Sequence, residues 1–192
     1  MDKWIGTSAL ILWTIAPAFA QTDRDLQMNP PSDTVKSPVS KPSYATGTLD
    51  RDDQQFIRKA ASSDLAQITE GQLAQQQGDS VKVKSYGVQM VNDQTEADRS
   101  LAQLAQSKGV SIADSLDSKD HKQVDRLERD HGNDFDRVYS SDAVKDQEAN
   151  VRLFRRATKS ADPDIAQYAQ QNLPSVQNHL AAARELKDKL TW

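Results

Sequence analysis

Two stretches, "MVNDQTEADRSL" (90–101) and "AVKDQEANVRLF" (143–154), each set an Asp-Gln pair among apolar positions of helical spacing. In the first, Met90, Gln94, Ala97, Leu101 and Leu104 recur at steps of four, three, four and three, so a glutamine shares the face that a helix would bury. A carboxamide on such a face can hydrogen-bond within a core, and buried polar groups do find partners. With a neighbouring carboxylate it can also lend a weak oxygen donor to a cation. Other chemistry is sparse. The chain has no cysteine, no serine-nucleophile motif, no glycine-rich phosphate loop and no His-Glu-x-x-His zinc spacing. Surface carboxylates abound, but none stands out as half of a buried acid–base pair, which argues against an enzyme. His121 and His131 lie beside Asp120, Asp125, Asp130 and Asp134, a density suited to adventitious divalent binding or simply to a solvated helix. The basic run "RLFRRATK" (152–159) complements a helix C-terminal dipole.

The elements that position these groups are long helices. Proline is absent between residue 50 and Pro163, and the glycines in between fall at 71, 78, 87, 109 and 132. Apolar spacing predicts a helix over about 50–77, with Phe56, Ile57, Ala60, Ala61, Leu65, Ile68 and Leu73 along one side. A second helix starts after an N-cap at Asp79 or Ser80 and stops at Gly109. So short a link forces the pair antiparallel. Residues 109–132 read as a loop and a short helix with Val124 and Leu127 apolar. A fourth helix covers about 133–160. A fifth restarts with Asp162 as N-cap and Pro163 at its first position, and Pro174 should bend it. No alternating strand pattern competes. The fold class is therefore all-α, two antiparallel hairpins joined by a long connection with its own short helix. That connection permits a ferritin-type crossover, with simple up-down order as the alternative.

The N-terminus reads differently. "MDKWIGTSALILWTIAPAFAQTDRD" has Lys3, a charge-poor run and the small-x-small site "AFA" (18–20), the layout of a secretory signal peptide cleaved after Ala20. Residues 21–48 hold Pro30, Pro31, Pro38 and Pro42 among polar residues and read as an extended leader. The bundle then occupies 49–192. Formal net charge is −4 with both signs mixed, and no basic stripe suits a nucleic-acid backbone. Mean hydropathy of −0.75 leaves no room for a second membrane-embedded region after processing.

Five segments together, "FIRKAASSDLAQITEGQLA" (56–74), "YGVQMVNDQTEADRSLAQLAQSKGV" (86–110), "FDRVY" (135–139), "AVKDQEANVRLF" (143–154) and "DPDIAQYAQQNLPSVQNHLAAA" (162–183), resemble the DUF4142 family of exported bacterial proteins. The resemblance covers about residues 53–190 and implies a ferritin-like four-helix bundle. It also implies that Asp93-Gln94 and Asp146-Gln147 stand where relatives carry Asp-His, and that His179 matches the family's third histidine. The candidate ligand set is thus Asp93, Gln94, Asp146, Gln147 and His179. Only one of three imidazoles is kept, and amide oxygen binds transition metals weakly. No metal and no cofactor are expected, a divalent transition metal being the alternative.

Helix rise refines the geometry. Glu70 and Gln94 differ in level by roughly 12 Å, whereas Asp64 or Ser62 lies nearer to Gln94. Gln147 and His179 stand at comparable distances from their turn and can meet, through a direct hydrogen bond or a water. The expectation is a periplasmic, non-enzymatic bundle with a binding or envelope and stress-related role. Its partner would be an envelope protein or a small ligand, and its core would hold a remnant polar layer.

Overall fold

The computed structural model describes residues 49–190, and the signal-peptide and leader segments over 1–48 lie outside the described residues. Five helices follow in order: α1 (Arg51–Gln77), α2 (Val81–Ser107), α3 (Ser118–Leu127), α4 (Gly132–Ala157) and α5 (Pro163–Lys189). Four of the five starts are capped as the residue types dictate, and only α4, after His131, has no side-chain cap. Asp50 accepts from the Asp52 N–H, Ser80 from Lys82, Asp117 from Lys119 and Asp120, and Asp162 from Asp164 and Ile165. The start of α2 gains a second acceptor from across the bundle. The buried Asp136 carboxylate of α4 takes the Asp79 N–H at 3.1 Å and the Ser80 N–H at 2.8 Å. Gly109, at φ +65°, ends α2 in the left-handed conformation that glycine adopts without a Cβ penalty. Pro174 lies inside α5, which continues through it.

The hairpins α1–α2 and α4–α5 are the most extensive packings, and α1 also packs on α4 and α2 on α5. Gly78, just past α1, bridges to Gly132 at the start of α4, so α4 begins at the end of the bundle where α1 finishes. At the opposite end, Lys108 after α2 pairs with Asp162 at 2.6 Å and Asp164 at 2.7 Å beside the start of α5. The connection between the hairpins therefore returns along the length of the bundle, with α3 laid against α1 and α4. Within the first hairpin the backbones touch. A Cβ added at Gly71 would sit 2.8 Å from the Gly87 carbonyl, and one at Gly87 2.7 Å from the Gly71 carbonyl. Only glycine permits that approach.

The core divides in two. Phe56, Ile57, Leu101, Phe154, Ile165 and Tyr168 belong to one cluster, with Phe56 and Phe154 edge-to-face at 5.2 Å. Val83, Tyr86, Met90, Leu127, Phe135 and Tyr139 belong to the other, with Phe135 and Tyr139 stacked at 5.5 Å. On every long helix a buried polar residue separates the two clusters: Gln67 on α1, Gln94 on α2, Gln147 on α4 and His179 on α5. Leu101 is fully buried, as the spacing of α2 predicts. Leu65, Ile68 and Leu73 of α1 are only half-buried, because the seam of that helix runs instead through Ile57, Ala60, Asp64, Gln67, Gly71 and Ala74. Three and four residue steps keep these positions on one stripe, and the short backbone separation at Gly71 draws that stripe inward.

Candidate functional site

The middle of the bundle is a glutamine layer. Gln67 Oε1 accepts the Gln94 Nε2 at 3.0 Å and a second, short hydrogen bond from Gln147 Nε2. Gln147 Nε2 also approaches Met90 Sδ at 3.6 Å. Gln67 in turn donates from its own amide to the Ser63 carbonyl at 3.1 Å and the Ser63 hydroxyl at 2.9 Å, and that hydroxyl donates to Asn150 Oδ1 at 2.9 Å. Three helices are thereby tied through one carboxamide oxygen. Gln147 is 1% exposed and Gln94 5%, so these bonds form where water does not compete. Gln67 was not among the sequence candidates. Its signal was available only as a seven-residue repeat of small and polar residues (60, 67, 74), which a search for apolar faces passes over.

The five sequence candidates do not converge on one point. Gln94 and Gln147 meet through Gln67. Asp93 and His179 form a separate pair across α2 and α5, with Nε2 to Oδ2 at 2.9 Å. Gln147 and His179 make no direct hydrogen bond to each other: Gln147 Nε2 donates to Gln67 and His179 Nε2 pairs with Asp93. Gln147 Oε1 and His179 Nδ1 remain buried without a hydrogen-bond partner. Asp146 turns toward α3, where the Gln123 amide donates to Asp146 Oδ2 at 2.6 Å and to Glu70 Oε1 at 2.8 Å. Gln94 finds its partner on α1 at Gln67, one turn along from the Asp64 level that helix rise suggested.

Two recesses open from this layer. The first, about 360 Å³, lies under α3 between α1 and α4 and is lined by Glu70, Gln123, Asp146, Asn150, Lys59 and Arg152, among others. The second, about 270 Å³, lies on the α2–α5 side and is lined by Asp64, Asp93, Gln94, Asn172 and His179, among others. Burial pushes the Glu70 carboxyl up to about 8, and the nearby Asp146, Asp142 and Asp120 charges add to that shift while the Gln123 bond opposes it. Burial likewise raises Asp146, and it raises Asp64 well above the usual carboxylate range with help from Asp98. Both recesses thus place beside the glutamine layer a buried carboxyl that holds its proton more tightly than usual.

The five candidate ligands do not form one donor set. The donors that face each other at the centre are amide N–H groups, which cannot ligate, and their shared oxygen is already doubly bonded by hydrogen. His179 gives one imidazole nitrogen to Asp93. His121 and His131 are exposed on and beside α3. Among the described residues no group of three or more His, Cys, Asp or Glu side chains is placed to hold a metal ion.

Comparison with known proteins agrees with this architecture. The family model described as "Domain of unknown function (DUF4142)" matches residues 38–186. Among solved structures, the crystal structure of a DUF305 fragment from Deinococcus radiodurans superposes with a TM-score of 0.65. It covers 74% of this chain and 99% of its own length at 10% identity, a likeness of fold alone. Comparison with curated protein sequences gave no match.

Proposed function

The chain belongs to the DUF4142 family, and on that premise we propose that it is an exported, non-enzymatic binding bundle of the cell envelope whose centre is closed by hydrogen bonds rather than by a metal. The observation that carries this reading is the double acceptance at Gln67 Oε1, which ties Gln94 and Gln147 to α1. Where relatives would present imidazoles, this chain presents an amide network through Gln67 Oε1, which fixes register and orientation between helices while Gln147 Oε1 stays unpartnered. The charge-poor run before Ala20 supports export, and among the described residues no helix is long and apolar enough to cross a membrane. The recess under α3, about 360 Å³ and lined by both charged and apolar groups, is of a size that suits a small ligand.

A metal-binding reading has one observation in its favour, the Asp93–His179 pair at 2.9 Å, since an imidazole beside a carboxylate is a common start for a site. Asp146, the third group that reading needs, faces the opposite recess. The test is elemental analysis and zinc titration of protein recovered from an exported fraction, with its N-terminus read by mass spectrometry. The expected result is a chain beginning at Gln21 with no stoichiometric transition metal. One metal per chain that persists in His121→Ala/His131→Ala protein would replace this reading with the metal-binding one.

A further inference from the structure

The recess under α3 has opposite chemistry at its two ends. At one end Glu70, 4% exposed, and Asp146 both accept from the single amide of Gln123. That amide occupies the pair in this structure, so a ligand's N–H group would take its place between the two carboxyl groups. The nearby cations Arg126 and Lys145 are both paired with Asp142, and Asp120 accepts from Ser62, so neither cation is spent on the Glu70–Asp146 pair. Toward the other end the lining turns basic, with Lys59 from α1 and Arg152 and Arg156 from α4. Among the described residues Lys59, Arg152 and Arg156 make no ion pair within 4 Å, although Arg152 lies in the field of Glu148. Asp117, also on the lining, is occupied in capping α3.

From these ends we propose that the recess binds a short peptide-like zwitterion, its ammonium at the Glu70–Asp146 end and its carboxylate among Lys59, Arg152 and Arg156. The proposal rests on reading the chain as a binding bundle and adds the class of ligand. Helix rise sets the length. Asp146 to Arg152 is six residues, about 9 Å along α4. Glu70 to Lys59 is eleven residues, about 16 Å along α1, which the long lysine side chain shortens. An extended chain of three residues spans about 10 Å. A free amino acid is too short to engage both ends, and a cavity of about 360 Å³ holds a tripeptide with small side chains.

The buried carboxyl gives the proposal a second readout. Glu70 keeps its proton up to about 8, held neutral by burial and by Asp146, Asp142 and Asp120. An ammonium placed against it favours the ionised form, so binding near neutral pH transfers the Glu70 proton to solvent. Lys119 of α3 faces Asp146 and Lys59 stands at the far end of α1, so neither cation supplies that charge at Glu70.

The experiment is calorimetric titration of the mature full-length chain with trialanine near neutral pH, in two buffers of different protonation enthalpy. N-acetyl-trialanine and trialanine amide serve as probes lacking one charge each. Expected are binding of one trialanine per chain with release of a fraction of a proton, and at least about tenfold weaker binding for either blocked peptide. Glu70→Gln should abolish the proton release and weaken trialanine by a similar factor, with helicity by circular dichroism unchanged. Arg152→Ala should weaken trialanine but leave the affinity for trialanine amide as it was, and this reading stands even if the Glu70 variant folds poorly. No binding at about 10 mM, far above ordinary ligand affinities, would overturn the proposal. So would equal binding of all three peptides, or an unchanged response in Arg152→Ala. Metal content is measured on the same protein, so a failed peptide titration leaves the reading of the glutamine layer standing or falling by itself.

Discussion

The recess between α1 and α4 and the recess between α2 and α5 flank the same glutamine layer, and each has a buried carboxyl on its lining, Glu70 in one and Asp64 in the other. They differ in what crosses them. On the α1–α4 side, α3 lies over the seam, anchored by Val124 and Leu127 and by the ties Ser62–Asp120, Gln123–Glu70 and Arg126–Asp142. On the α2–α5 side Asp93 reaches His179 directly, and the Asp93 side chain is 41% exposed. The connection between the hairpins can lie on only one side of a bundle. Its chain path therefore turns one of two similar seams into a covered, charged recess and leaves the other as a polar groove.

The strongest way to break this contrast is to release α3. Leu127 is fully buried against Phe135 and its neighbours in the second cluster. Leu127→Ala should cost about 2–5 kcal/mol, read from urea unfolding. It should also raise hydrogen exchange in α3 above that in α4 and α5. A loss below about 0.5 kcal/mol would mean that α3 contributes little to the covered side.

A smaller effect sharpens the contrast electrostatically. Folded Glu70 holds its proton to about 8, whereas the unfolded chain loses it near 4.5. Between those values the native state binds more protons, so the contribution of Glu70 to stability falls as pH rises through that window and is level above it. Glu70→Gln should therefore raise stability near pH 9 by about 1–3 kcal/mol and change it little near pH 4. The smallest effect belongs to the open side. Asp93→Asn removes a partly exposed partner of His179 and should cost about 0.2–1 kcal/mol.

Much of this architecture was legible in the sequence. Glycine and proline punctuation located the helix ends, and helical spacing placed Leu101, Val124 and Leu127 inside. The polar interior was legible only in part. Gln94 and Gln147 stood out because apolar neighbours framed them, but Asp64, Gln67 and Glu70 sit in a helix whose seam alternates alanine, glycine and polar residues. No apolar stripe marks such a face, because close backbone approach at Gly71 and Gly87 does the work that large side chains do elsewhere. Nor could spacing foresee Gln123, whose role depends on which side of the bundle the connection takes. The separation of Asp146 from Asp93 follows from the same choice, since the two carboxylates look out through opposite seams.

The central claim is that one carboxamide oxygen, Gln67 Oε1, closes the middle of the bundle by accepting from both Gln94 and Gln147. Side-chain amide hydrogen exchange, followed by NMR in the native protein and in Gln67→Ala, addresses it directly. The account predicts Gln94 and Gln147 side-chain amides protected by at least about a hundredfold in the native protein, with that protection lost in the variant while the backbone of α2 and α4 stays protected. Side-chain amides that exchange at the rate of exposed glutamines in the native protein, or protection that survives the loss of Gln67, would contradict it.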